Sequence, residues 1–136
     1  MNVEVTGSAV PRLTRRDVAA FVRKVLLSLR KDEAVAEVSI ALVDDETMRK
    51  LNRQFRHKNR TTDVLTFPGD DSYLGDIVIS VEQARRQAAD EGHSIATEVR
   101  YLLLHGILHA LGYDHEKDNG EMNKLEIELR EAVGLE

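Results

Sequence analysis

Apolar residues along the chain recur at two different periods, and the switches between them mark its elements. A short strand is expected at residues 3–5. Behind Thr14 and Asp17, a capping-box pair, Val18, Phe21, Val22, Val25 and Leu29 repeat at helical spacing. Residues 38–43 read as a buried strand, after which Asp44 can cap a second helix whose inner face is Met48, Leu51 and Phe55. A strand follows at 64–67. Pro68, Gly69, Asp70 and Asp71 break the pattern before a strand resumes at 76–80, so these two are expected to pair as an antiparallel hairpin. Ser80 with Gln83 caps a third helix that Gly92 can end.

Residues 94–111 form the strongest helical segment. Ile95, Val99, Leu102, Leu103, Leu104, Ile107, Leu108 and Leu111 cover most of its circumference, which predicts a central, buried helix ended by Gly112. A last amphipathic helix is expected from near Asp118, burying Met122, Leu125, Leu129 and Val133 and stopping at Gly134. The order β, α, β, α, β, β, α, α, α implies one α+β domain spanning residues 1–136, with a small mixed sheet of about four strands and about five helices.

Composition narrows the chemistry. The chain has no cysteine, which excludes a disulfide scaffold, a thiol nucleophile and a Cys-based zinc site. No stretch approaches the roughly 18 apolar residues of a membrane span, and no leader segment is evident, so a cytoplasmic protein without membrane partners is expected. The net charge of −5 is unevenly spread: thirteen Lys and Arg stand against eight Asp and Glu up to Arg60, and six against sixteen beyond it. Arg49, Lys50, Arg53, Arg56, Lys58 and Arg60 follow one another without an intervening acid, a strip that can bind phosphates within an acidic whole.

His105 and His109 lie four apart on the central helix and share one face. Buried imidazoles there need partners for both nitrogens, and metal ligation supplies one. Gly112 permits a sharp reversal that can bring His115 back over the same face. Three neutral nitrogen ligands to zinc leave a fourth position for water, the arrangement of a catalytic site and of metal-assisted hydrolysis; nickel suits the same imidazoles. The spacing coincides with HExxHxxGxxH of zinc peptidases, with Gly106 where they place the glutamate that deprotonates water. Their usual chemistry is therefore not expected.

HGILHALGYDH, residues 105–115, resembles the hallmark of the YbeY family of bacterial rRNA maturation factors. Phe55 and Arg56, then Arg60, Thr61 and TDVLTFP from Thr62, resemble a second block of that family, and LGDIVIS from Leu74 a third. The resemblance implies a single-strand-specific, metal-dependent endoribonuclease acting in maturation of the 16S rRNA 3′ end and in ribosome quality control, with the small ribosomal subunit as partner. It carries the zinc ligands to His105, His109 and His115 and the family's important arginine to Arg56. Arg56 and His109 are thus the expected catalytic residues, with Arg49, Arg53, Lys58 and Arg60 guiding the RNA backbone. The family often has glycine where this chain has His57. His57 and His93 read as exposed loop histidines and are assigned no ligand role. Asp114 can orient a ligand imidazole, accept a proton or stabilise the local turn. Two other readings stay open: a ribosome assembly factor in which zinc only holds the C-terminal turn, and a peptidase or another hydrolase that finds its base elsewhere, with Asp114 the nearest candidate.

Overall fold

The computed structural model describes residues 1–114 and 116–135. Its elements follow the expected order. Strand β1 (Asn2–Gly7) leads to helix α1 (Arg15–Ser28), β2 (Glu37–Val43), α2 (Asp45–Arg56), β3 (Val64–Pro68) and β4 (Tyr73–Ser80). Helices α3 (Val81–Glu91), α4 (Ile95–Ala110) and α5 (Glu121–Ala132) complete the chain. No helix among the described residues is long and apolar enough to cross a membrane.

The strands form one mixed sheet in the order β1, β2, β4, β3. β1 runs parallel to β2 and β2 to β4, whereas β3 pairs antiparallel with β4, with Thr66 opposite Ile77. That hairpin is the one expected from the break at Pro68 to Asp71. Val38, Ile40 and Leu42 of β2 and Ile77 and Ile79 of β4 point into the larger core, shared with Val18, Val22 and Val25 of α1 and with Val99, Leu103 and Ile107 of α4. Val78 faces the other way, packing with Leu65 and with Met48 of α2. A central strand covered on both faces must be apolar at successive positions, which is why β4 shows a continuous run instead of alternation.

The caps behave as their chemistry dictates. Thr14 Oγ1 accepts from Asp17 N at 3.0 Å while the Asp17 carboxylate accepts from Thr14 N at 2.9 Å. Asp44 accepts from Thr47 N, and Ser80 and Ser94 from Gln83 N and Thr97 N. Two details of the expected helices are corrected. On α2 the buried polar residue is Asn52, whose amide donates to Arg60 O at 2.9 Å, while Phe55 is 53% exposed with its ring edge against Phe67 at 5.1 Å. Helix α5 begins three residues later than expected because Gly120 sits at φ 101°; Asp118 instead accepts from Gly120 N and Met122 N ahead of the first turn.

Candidate active site

The central helix lies so close to the sheet because one of its residues has no side chain. A Cβ on Gly106 would come within 2.7 Å of Ile77 Cγ2, and Thr66 Oγ1 donates to Gly106 O across the same contact at 3.4 Å. Gly106 therefore faces β3 and β4. The glutamate of zinc peptidases is not merely absent at this position; the packing leaves no room for it.

With position 106 against the sheet, His105 and His109 emerge beside it at the open edge. Their Nε2 atoms are 2.9 Å apart and their rings meet edge to face, with centroids 4.4 Å apart. His105 Nδ1 lies 2.9 Å from Glu126 Oε1 on α5. A carboxylate in this position can accept from Nδ1–H, and that tautomer leaves the Nε2 lone pair facing His109. Beyond His109 the helix ends as expected: Gly112 at φ 101° lets its own N–H reach His109 O and Tyr113 N–H reach Leu108 O, each at 3.0 Å.

Both imidazoles open into a cleft of about 480 Å³ whose other walls are Arg56, Thr62, Asp63, Val64, Thr66, Pro68, Asp114 and Glu116. Arg56, the last residue of α2, thus shares this space with the histidine pair, although the two are about fifty residues apart in sequence. Its neighbouring loop is pinned from several sides. Asn52 holds Arg60 O, Thr61 Oγ1 donates to Asp45 at 3.2 Å, and Ser80 N donates to Asp63 O at 2.9 Å. Asp45 also accepts from Ser80 Oγ at 2.8 Å and from Arg86 at 2.7 Å. Burial pushes the Asp45 carboxyl up, but the bonds from Ser80 and Arg86, the Arg86 charge and the Thr61 bond outweigh it and hold it below the ordinary aspartate range.

The remaining expected site residues separate into groups. Lys58 and Arg60 line a smaller hollow of about 210 Å³ that Arg56 and Thr62 share with the main cleft. Arg49 and Arg53 line neither hollow; Arg49 is bonded to Glu46 at 2.9 Å through both carboxylate oxygens. Asp114 lines the cleft and accepts from Glu116 N at 3.0 Å, so its turn-stabilising role is visible. His57 is exposed as expected, but His93 is not. Half-buried between α3 and α4, it places Nε2 2.6 Å from Glu98, which Gln87 also contacts. His115 lies outside the described residues.

Glu126 is a site residue that sequence reasoning missed. It falls one helical turn after Met122 and one before Arg130, between the inward-facing Leu125 and Leu129, so a carboxylate on the inner face of α5 was the available signal.

Imidazole nitrogens are donors of the kind zinc takes. Two imidazole nitrogens are brought together at one cleft, and a carboxylate holds the far nitrogen of one ring, as around many metal-bound histidines. Among the described residues no group of three such side chains converges closely enough to hold an ion. The expected three-histidine set therefore depends on His115.

Known proteins resemble this chain along nearly its whole length. The family model described as "Endoribonuclease YbeY" matches residues 5–134. A protein of that name from Nautilia profundicola is 48% identical over 102 residues, 73% of each chain. Another from Solibacter usitatus is 43% identical over 133 residues, covering 96% of this chain and 88% of its own. The solution structure of TM1509 from Thermotoga maritima superposes with a TM-score of 0.69 at 27% identity, over 96% of this chain and 88% of that one. A match that spans every element building the cleft leads to one conclusion: this chain belongs to the YbeY family.

Proposed function

We propose that this chain is a zinc-dependent endoribonuclease that hydrolyses single-stranded RNA in the cleft between α4, β3 and the end of α2, and that it serves 16S rRNA 3′-end maturation and ribosome quality control on the small ribosomal subunit. The single observation that carries this reading is the opening of Arg56, His105 and His109 into one polar cleft. The endoribonuclease names of the relatives support the reaction class. The stages of rRNA maturation rest on the family resemblance.

In this reading His105, His109 and His115 hold the ion. When bound, zinc supplies Lewis acidity and makes water a competent nucleophile near neutral pH. The chain's own side chains do the positioning. Arg56 presents a planar, permanently charged fork that can grip two phosphate oxygens and offset the charge they gain during cleavage. Lys58 and Arg60, in the adjoining hollow, attract the flanking backbone. Thr62 and Thr66 offer hydroxyls in the cleft, and Asp114, anchored by Glu116 N–H, is a carboxylate able to accept the proton that water loses.

Elemental analysis of the purified protein, combined with mapping of the ends it generates on single-stranded RNA, tests metal and reaction together. Arg56→Ala is expected to abolish cleavage with zinc content intact, and His109→Ala to release the metal. Loss of zinc or of the fold in the Arg56 variant would make that residue structural. Unchanged zinc stoichiometry in the His109 variant would end the three-histidine reading.

A further inference from the structure

Two side-chain contacts between helices α4 and α5 lie in antiparallel register. His105 meets Glu126, and one turn back on α4 and one turn on along α5, Tyr101 meets Arg130, whose guanidinium carbon lies 4.9 Å from the ring centroid. Arg130 also reaches Glu126 Oε2 at 3.5 Å. Its Nε is buried without a hydrogen-bond partner among the described residues, a cost that a purely structural surface arginine would avoid by turning to solvent. The Glu126 side chain is only 12% exposed. A carboxylate so enclosed needs compensation, to which His105 Nδ1 on one oxygen and Arg130 on the other contribute.

From this arrangement we infer that Glu126 is a positioning residue for His105. It accepts the Nδ1 hydrogen, fixes the ring in the tautomer whose Nε2 lone pair faces the cleft, and is itself held by Arg130 braced on Tyr101. Four side chains on two helices thereby set the direction of one nitrogen. The imidazole cannot flip without breaking the bond to Glu126, nor can Glu126 swing away without abandoning Arg130. The inference deepens the zinc reading and rests on it for the ligand that Nε2 would take.

Two measurements on the full chain test it, one independent of metal. Nitrogen-15 NMR of the His105 ring in the metal-free protein, at a pH above the imidazole range, reports which ring nitrogen carries the hydrogen. The second is zinc affinity by competition with a chromophoric chelator, with zinc alone as the probe. The wild type is expected to show a single Nδ1–H tautomer. Glu126→Ala should mix the tautomers and weaken zinc about 10–100-fold. Glu126→Gln, which keeps an acceptor but not the charge, should retain the tautomer with a smaller loss of affinity. If the alanine variant fails to fold, the glutamine variant carries the test, since the inference requires its affinity to fall. Unchanged tautomer and zinc affinity in the folded variants, with only a lowered Tm, would overturn the inference and leave Glu126 as a clamp between helices. A wild type that holds the Nδ1–H tautomer yet binds no zinc would sink the metal reading while leaving the positioning role intact.

Discussion

His57 closes α2 at φ 57° and ψ 31°, a left-handed conformation in which its Cβ crowds the following carbonyl. Glycine at this position would take that backbone without the clash. His57→Gly is expected to stabilise the protein by about 1 kcal/mol, read as a higher urea midpoint at unchanged slope. An equal or lower midpoint would mean that the imidazole makes up the backbone cost elsewhere. Gly106 has the opposite sign. Alanine there gains about 1 kcal/mol of helix propensity but must displace the methyl of Ile77, a fully buried side chain with nowhere to go. Overpacking of about 1–3 kcal/mol should prevail, so Gly106→Ala should lower the midpoint. The sequence allowed Gly106 to be seen as a missing base but not as a contact, because its importance is the distance to a strand thirty residues away. Glu126 was hidden for the same reason: nothing in its own helix tells which partner faces it across the interface.

At the scale of elements, caps and turns were legible because their chemistry is local. Thr14 with Asp17, Asp44, Ser80, Gly92 and Gly112 all act within a few residues of themselves. The exposed Phe55 was not, since a helical pattern gives the direction of an apolar residue and not the point at which the surface beneath it ends. Equally non-local is the junction at Asp45, where the first residue of α2 binds Ser80 at the end of β4, Arg86 of α3 and Thr61 of the loop beside Arg56. Its carboxyl is held below the ordinary range, so the folded state binds its proton less readily than the unfolded chain does. The resulting stability is fully present above that range and is lost as pH falls through the depressed folded value. Asp45→Asn should therefore cost about 1–3 kcal/mol at neutral pH, and the gap to the wild type should close as the solution is acidified. Urea midpoints of both proteins across the acid range check this. A gap that stays constant would show that the charge on Asp45 contributes nothing and that only hydrogen-bond geometry matters.

For the whole molecule, the question is how a chain of net charge −5 approaches a polyanion. The fold answers by placement. Arg56, Lys58 and Arg60 gather around two adjoining hollows at the histidine edge, whereas Arg49 spends its charge on Glu46 within its own helix. Surface charges more than about 10 Å apart are screened at moderate salt, so the distant acids count for little and the local balance governs binding, with Asp63, Asp114 and Glu116 of the cleft opposing its cations. Each phosphate neutralised on a single strand contributes about −0.7 to the slope of log affinity against log salt. Three cations at the cleft predict a slope of about −2 for a short single-stranded RNA, measured in chelator so that the strand stays intact. Lys58→Ala with Arg60→Ala should reduce it to about −0.7, while Arg49→Ala should leave it unchanged. Equal losses from the Arg49 variant and the double variant would mean that RNA lies along the outer face of α2, and the cleft would then lose its claim to the phosphate backbone.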